Sequence, residues 1–292
     1  MTLKSSIIAL TLFAATLLGA GEKAASLAPS ITETLFAIGA GPDVVGVSRY
    51  CQYPEEIKKL PRVGGFLDPD YEALMRLKPD FVALSTDNPK AEARLKSLGV
   101  KTVAVDQRNL PGILKSFKIL GEASGHREEA EKLFESCQAK LDDAKRKVAN
   151  LPKPRVLICM GRSMGGGIRE VFAAGSNCFY SDLLEYAGAE NVCASLPMKT
   201  PTLSTEGVIR LNPDVIIDMA PPRADAKAML SDWNSLSQVN AVKNGRVVIL
   251  AEDYIQIPGP RFVLILDKML EAVHPELKGG AANLASGKEA AK

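Results

Sequence analysis

An internal repeat is the sequence feature that most constrains the fold of this chain. Residues 71–84 read YEALMRLKPDFVAL, and residues 205–218 read TEGVIRLNPDVIID, so the two segments align without a gap. Each copy ends a helical pattern at Leu-x-Pro-Asp, because proline does not continue a helix, and then enters an apolar run typical of a buried strand. A shorter echo pairs LFAIGA at 35–40 with LEYAGA at 184–189. The repeat predicts two copies of one α/β unit.

Strand-like apolar runs alternate with amphipathic segments in both halves of the chain, which favours βαβ units and mainly parallel sheets. We therefore predict an α/β fold in which two Rossmann-like lobes, each with a mainly parallel sheet, are joined by one long backbone helix. Such lobes would face each other across a cleft. Open α/β sheets bind ligands at the carboxyl ends of their strands, so we expect the ligand in this cleft. The predicted strands are 44–47, 81–85, 102–106, 156–160, 215–219 and 247–250.

Two helices have clear sequence limits. The first is predicted to begin at Ser30, because Ser-Ile-Thr-Glu fits a capping box in which Glu33 reaches back to the helix start, and to end at Gly39. The long helix, within 125–150, gathers acids at its start and bases at its end, which suits the helix dipole. It also carries one apolar stripe at helical spacing over 128–148. We predict that it bridges the two lobes.

The N-terminal residues 1–21 have the features of a cleaved signal peptide. Lys4 precedes an uncharged apolar run, and small residues follow that run. The run is too short to span a membrane. We therefore expect export to the periplasm and a soluble mature chain. The predicted divisions after the signal peptide are an N-terminal lobe (22–124), the backbone helix (125–150), a C-terminal lobe (151–277) and a flexible tail (278–292).

Composition disfavours several function classes. The formal net charge of +2 gives no support for nucleic-acid binding. With two histidines and five cysteines that lack metal-ligand spacing, a site for a bare transition metal is not expected.

An exported α/β hydrolase, or an oxidoreductase with Cys51 as reactive thiol, is the enzyme alternative. The missing histidine partner and the missing GxSxG motif oppose it. A disulfide cannot be assigned among the cysteines.

Six segments in matching order give the chain a family resemblance. It resembles the helical-backbone (class III) periplasmic substrate-binding proteins that deliver cobalamin, ferric siderophores or haem to ABC importers. The resemblance implies a cleft between two lobes, limited hinge motion, no catalysis, no cofactor held by protein ligands alone, and a monomer as the expected state. The segments are SLAPSITETLFAIGAG, VVGVSRYCQYP, LPRVGGFLDPDYEALMRLKPDFVAL, TLSTEGVIRLNPDVII, NGRVVIL and PGPRFVLILDKMLEAVHPE.

The same resemblance implies how the chain meets its transporter. In the family, one glutamate on each lobe docks into an arginine pocket of the permease dimer at the inner membrane. The matching positions here are Glu72 and Glu206, which the internal repeat also pairs. Identical charges, one for each lobe, suit a partner with two equivalent basic pockets.

The ligand predicted from the resemblance is a small-molecule metal chelate, either cobalamin or an iron–siderophore complex. Haem is the alternative, with Tyr50 or Tyr254 as axial ligand to the iron. Aromatic faces suit a corrin, a porphyrin or an aromatic chelator, and arginines suit anionic groups. The predicted ligand-binding residues are Tyr50 and Phe66 on the N-terminal lobe and Arg162, Met164, Arg169, Arg223 and Tyr254 on the C-terminal lobe.

Overall fold

Two β-sheets, one in each half of the chain, organise the fold. We describe residues 21–277 of a computed structural model. The predicted tail and all of the predicted signal peptide except Gly21 lie outside the described residues. The first sheet is entirely parallel, with strands in the order β2-β1-β3-β4. Its strands are β1 (Ala24–Ser26), β2 (Val44–Val47), β3 (Phe81–Ser85) and β4 (Thr102–Val105).

The second sheet has six strands and is mainly parallel. Its order is β10-β9-β5-β6-β8, with β7 paired to β5, and β6 runs antiparallel to both of its neighbours. The predicted fold class and all six predicted strands are confirmed, whereas β1, β6, β7 and β8 were not predicted. The strands are β5 (Arg155–Arg162), β6 (Glu170–Ala173), β7 (Glu190–Asn191), β8 (Thr202–Ser204), β9 (Val215–Met219) and β10 (Val247–Leu250).

Helices connect the strands and cover the sheets. Within residues 21–277, none of them is long and apolar enough to cross a membrane. Three short 3-10 helices lie at Gly41–Asp43, Glu55–Lys59 and Asn234–Leu236. The α-helices are α1 (Pro29–Ala37), α2 (Tyr71–Leu77), α3 (Pro89–Ser97), α4 (Leu110–Ser124), α5 (Arg127–Val148), α6 (Phe179–Tyr186), α7 (Thr205–Leu211), α8 (Ala226–Trp233), α9 (Asn240–Lys243) and α10 (Phe262–Val273).

The internal repeat forms the same local structure twice. In α2 and α7, the side chains of Asp70 and Ser204 cap the helix start by accepting a hydrogen bond from the backbone N–H three residues on. Both helices end at a residue in the left-handed conformation, Lys78 with φ of 47° and Asn212 with φ of 42°. Each helix then leads into a buried five-residue strand, β3 or β9. The duplicated sequence therefore encodes a duplicated helix–turn–strand unit.

The aspartate of each Leu-x-Pro-Asp motif ties its unit to the neighbouring strand. Asp80 accepts a hydrogen bond from the Lys23 backbone N–H at 2.7 Å, just before β1. Asp214 accepts the equivalent bond from the Arg155 N–H at 3.0 Å, at the start of β5. In both units, the carboxylate therefore satisfies a backbone donor where a central strand begins.

The long helix α5 bridges the lobes, as predicted. It packs against α4 of the N-terminal lobe and against α6 and α10 of the C-terminal lobe. The apolar stripe of α5 contributes to a core cluster that also contains residues of α4, α6, β5, β9 and α10. Because one continuous apolar cluster includes both lobes, α5 joins them by packing as well as by chain connectivity. Its buried residues are Ala130, Cys137, Leu141, Ala144 and Val148.

The predicted capping box at the first helix is wrong. Helix α1 begins at Pro29, and its N-cap residue, Ala28, offers no side-chain hydrogen bond. The Ser30 hydroxyl instead donates to Gln107 at 2.6 Å, and the Glu33 carboxylate pairs with Arg261. Both side chains that a capping box would use are therefore hydrogen-bonded to residues distant in sequence instead of to the helix start.

Replacement of Leu141 tests the bridging core. Leu141 is fully buried in the cluster shared by both lobes, so Leu141→Ala should lower the free energy of unfolding by about 2–5 kcal/mol through a lost contact and a cavity. Urea unfolding measures this. The matched control is Lys140→Ala, an exposed neighbour on the same helix, which should stay within about 0.5 kcal/mol of wild type. A loss below about 1 kcal/mol for Leu141→Ala would contradict the shared core.

Candidate functional site

A cavity of about 390 Å³ lies between the lobes. The N-terminal lobe contributes Ser30, Phe66 and Gln107 to its wall, and the C-terminal lobe contributes Lys199 and Gln256. Most of the lining segments follow the carboxyl ends of β1, β3, β4 and β10, which is where open α/β sheets bind ligands. The volume falls in the range of small-molecule sites. The cavity is therefore the candidate binding site.

Ser30 and Gln107 form the inner, polar part of a mainly apolar cavity wall, and their side chains are already hydrogen-bonded. The Ser30 hydroxyl donates to the Gln107 Oε1 at 2.6 Å, and the Gln107 Nε2 donates to the Ser116 hydroxyl at 3.1 Å. All three side chains are buried. A chain of satisfied hydrogen bonds fixes their orientation, so this wall offers a preorganised surface to a ligand.

Three aromatic residues of the N-terminal lobe, Tyr50, Tyr53 and Phe66, lie in the loops between β2 and α2, and we call this group the aromatic rim. Tyr50 is 58% exposed and Tyr53 is 46% exposed, and both follow the carboxyl end of β2. Phe66 is half-buried and lines the cavity itself. A side chain at Gly65 would approach the Tyr50 ring to 3.1 Å, so glycine there allows the tyrosine to pack beside the Phe66 loop. The rim can offer flat apolar faces to a ligand.

An ion pair joins the lobes next to the cavity. The Arg261 guanidinium, at the start of α10, donates from Nη2 and Nε to the Glu33 carboxylate at 2.6 and 2.9 Å. Asp253 accepts a third bond from Nη1 at 2.9 Å. Burial raises the pKa of Glu33, and the hydrogen bonds from Arg261 oppose that rise. Arg261 therefore ties the start of α10 to α1 of the other lobe.

The prediction that Arg162 contacts the ligand is corrected by the structure. Its side chain is 1% exposed and donates to Asp218 at 2.9 Å and to Asp232 at 2.8 Å. Arg162 is the last residue of β5, and its guanidinium lies against the Met229 carbonyl and the Trp233 ring rather than in the cavity. Each of the three guanidinium nitrogens donates within the lobe, and the buried side chain is not presented to the cavity.

Asp232 holds the glycine-rich loop that follows β5. Its carboxylate accepts hydrogen bonds from the Gly165 and Gly167 backbone N–H groups at 3.0 and 3.2 Å. Hydrogen bonding from Arg162 and from this loop lowers the pKa of Asp232. Three successive glycines adopt positive φ angles here, which few other residues tolerate. The loop exposes Met164, a predicted ligand residue, at its tip.

The structure brings together some of the predicted ligand residues. Phe66 lines the cavity, the Tyr50 ring lies beside Gly65 next to Phe66, and the Tyr254 ring centroid lies 5.3 Å from the Arg261 guanidinium carbon. Met164, Arg169 and Arg223 are exposed in loops outside the cavity wall, and their contact with a ligand stays a prediction.

Four residues at or near the site were not predicted from the sequence: Tyr53, Gln107, Lys199 and Gln256. Of these, Tyr53 was the most accessible to prediction, because it lies in the same segment as Tyr50.

The cysteines do not resemble activated nucleophiles. All five are free and buried, and burial raises the pKa of the Cys51 thiol above its ordinary value. Burial also raises the pKa of Cys137 and of Cys193 to about 11. A reactive thiol needs a lowered pKa and access to solvent. These positions therefore disfavour the interpretation of Cys51 as a reactive thiol.

The histidines lie away from the cavity. His126 makes a hydrogen bond with the Ser124 carbonyl at 2.9 Å, and His274 is buried beyond the end of α10. Within residues 21–277, no group of three or more histidine, cysteine, aspartate or glutamate side chains is arranged to hold a metal ion.

Two mainly parallel sheets facing a shared cleft, with one helix packed on both lobes, define a bilobal binding protein. Residues 25–254 match the periplasmic binding protein family, and the chain belongs to this family. The working compartment of such a protein is outside the cytoplasm, which agrees with the predicted export.

Individual relatives cover nearly the whole chain. An ABC transporter substrate-binding lipoprotein of Bacillus subtilis (strain 168) is 29% identical over 263 residues, 87% of this chain and 81% of that protein. A vitamin B12-binding protein of Photorhabdus laumondii is 26% identical over 273 residues, 92% of this chain and 94% of that protein. The periplasmic haem-binding protein of Roseiflexus sp. RS-1, in its apo form, has a TM-score of 0.72 at 25% identity and covers 87% of this chain and 98% of its own.

Arg162 is buried and Arg169 is exposed, so their replacement should affect the free energy of unfolding differently. Arg162→Ala leaves two carboxylates without their buried partner and should lower the free energy of unfolding by about 3–5 kcal/mol. Arg169→Ala removes an exposed side chain and should change it by less than about 0.5 kcal/mol. Denaturant unfolding compares the two. Equal stabilities would refute the corrected role of Arg162.

Proposed function

We propose that this chain is a periplasmic solute-binding protein, exported by a cleaved signal peptide, that captures a metal chelate and delivers it to an ABC importer. The single observation that carries the proposal is the cavity between the lobes, which residues of both lobes line. A site divided between two lobes can bind a ligand and signal occupancy through their relative position, and it needs no catalytic group.

The chemistry of the cleft favours a chelate over a bare cation. Neither of the two histidines lines the cavity, although a receptor for a bare transition metal would use imidazole ligands. The rim presents Tyr50 and Tyr53, and the wall presents Phe66, so a ligand with a broad apolar face gains most there. The polar inner wall and Lys199 can receive the hydrogen-bonding or anionic groups of its periphery. A cobalamin or a ferric siderophore has both kinds of surface.

The relatives support this ligand class. One of them is a vitamin B12-binding protein, another is a haem-binding protein, and a third is an ABC transporter substrate-binding lipoprotein. Corrinoids and haem share a flat macrocycle around a metal. An ABC importer is the corresponding partner for delivery.

Haem is the second candidate, and the position of Tyr50 favours it. A phenol oxygen can serve as an axial ligand to ferric haem iron. Tyr50 is mostly exposed on the rim, and the Arg49 guanidinium carbon lies 5.7 Å from the centroid of its ring. Tyr254 is the other predicted axial residue, and burial raises its pKa, which disfavours the phenolate form. With haemin, Tyr50→Phe should therefore shift the visible spectrum more than Tyr254→Phe.

Removal of Phe66 tests the ligand site. The mature protein should bind cobalamin, a ferric siderophore or haemin in calorimetric titrations. Phe66→Ala should weaken that binding by about 1–3 kcal/mol through lost apolar burial. Phe36→Ala is the matched control, since Phe36 is a half-buried aromatic residue of the same lobe outside this cavity. Binding of a sugar or a bare cation in place of any chelate would overturn the proposed function.

The permease-docking role of Glu72 and Glu206 is part of the same proposal. Both are exposed in the first turns of the equivalent helices α2 and α7. Hydrogen bonding from its own backbone N–H and from Ser204 lowers the pKa of Glu206, so that carboxylate stays ionised. Glu72 lies 3.2 Å from Arg76 one turn along its helix. A permease dimer with one basic pocket for each lobe fits this pair of charges.

Charge reversal at both glutamates tests docking. The Glu72→Lys/Glu206→Lys protein should bind its ligand with unchanged affinity but should no longer stimulate the permease ATPase, because exposed charges of an interface govern association. Stimulation is measured with the permease in proteoliposomes. The control, Glu56→Lys/Glu190→Lys, reverses one exposed glutamate on each lobe outside α2 and α7 and should stimulate normally. Normal stimulation by the first variant would contradict the docking proposal.

A further inference from the structure

The environment of Arg261 is unusual because both lobes bond to its guanidinium. Glu33, in α1, accepts two bonds in a fork geometry, and Asp253, in the loop after β10, accepts the third. The Arg261 side chain is 14% exposed and that of Glu33 is 2% exposed, so the pair is shielded from water. A planar fork of this kind is specific to arginine, since lysine offers one compact ammonium group.

Two tyrosines contact the same guanidinium, one from each lobe. The Tyr53 ring centroid lies 4.1 Å from the guanidinium carbon, and the Tyr254 ring centroid lies 5.3 Å from it. Both distances are within the range of cation–π attraction. Tyr53 is half-exposed, so part of its ring remains open to a ligand. Tyr254 is half-buried and packs against the C-lobe core.

The chain segments that carry Arg261 and Glu33 also contribute to the cavity wall. The segment that leads to Arg261 contributes Gln256 and Pro258 to the cavity wall, and the start of α1 contributes Ser30. The two segments touch, because a side chain at Gly259 would meet the Ser30 backbone at 3.2 Å. The Glu33–Arg261 pair is therefore linked to the cavity wall through two short, touching segments.

We propose that Arg261 is a positioning residue of the cleft, which fixes the lobes through Glu33 and holds Tyr53 and Tyr254 so that together they receive a flat conjugated ligand. The inference rests on the proposed function and narrows the ligand to a chelate with an extended planar face. The guanidinium contributes in two ways. Its charge anchors the buried carboxylate, and its flat face sets the orientation of the two rings.

A purely structural role for Arg261 makes a different prediction. If the residue contributed stability alone, a variant that keeps the positive charge and the fold would bind ligand as wild type does. If it positions the tyrosines, the environment of their rings and the residence time of the ligand must change together. Arg261→Lys makes the distinction, because lysine can pair with Glu33 but cannot reproduce the fork or the stacked plane.

The test uses the mature protein, haemin and cobalamin. Arg261→Lys should reduce the near-ultraviolet circular dichroism of tyrosine in the apo protein and should speed ligand dissociation at least about threefold. Arg246→Lys is the matched control, since Arg246 donates to the carbonyls of Ala272 and Val273 at the end of α10 and should alter neither readout.

A second variant guards against misfolding of Arg261→Lys. Tyr53→Leu leaves the ion pair intact and should speed dissociation to a similar extent, with the free energy of unfolding nearly unchanged. Wild-type spectra and dissociation rates for Arg261→Lys would overturn the positioning role, and so would a wild-type dissociation rate for Tyr53→Leu. If wild type binds neither ligand, the planar-ligand part of this inference fails, the siderophore titration decides the proposed function, and the apo spectrum of Arg261→Lys still decides whether Arg261 orders the tyrosines.

Discussion

The packing of α5 against both lobes holds the two halves of the molecule in one arrangement. One apolar cluster contains residues of α4, α5, α6 and α10 and of the sheet in the C-terminal lobe. Because close-packed interiors resist small displacements, this cluster limits how far the lobes can move apart. The cavity between them is therefore largely preformed, and residues distant in sequence, such as Phe66 and Gln256, can form one wall.

Two buried arginines stabilise the structure in different places, one within a lobe and one between the lobes. Arg162 pairs with Asp218 and Asp232 inside one lobe, where it supports a glycine-rich loop. Arg261 pairs with Glu33 across the lobes. In both cases a buried charge is tolerated because carboxylates surround it, and the loss of a partner would be costly. Arg169 and Arg223, by contrast, are exposed, and their contact with a ligand stays a prediction.

Local sequence patterns predicted the framework well and individual side-chain roles poorly. The Leu-x-Pro-Asp repeat corresponds to two equivalent units because proline, helix capping and strand burial act within a few residues. The capping box failed because Ser30 and Glu33 found partners in Gln107 and Arg261, which lie far along the chain. The predicted ligand contact of Arg162 has the same difficulty, because its partners Asp218 and Asp232 lie far along the chain and cannot be recognised from the residues around Arg162.

The α/β class, the two-lobed duplication, the bridging helix and the aromatic character of the segment around Tyr50 were readable from the residues alone, since these follow from periodicity and composition over short windows. Tertiary structure alone decided which polar side chains meet. It made Gln107, Lys199 and Gln256 cavity residues, buried Arg162, and placed Tyr53 and Tyr254 around Arg261. The physical reason is that a hydrogen bond or an ion pair depends on distances that only the packed lobes define, whereas helix and strand formation depends mainly on neighbouring residues.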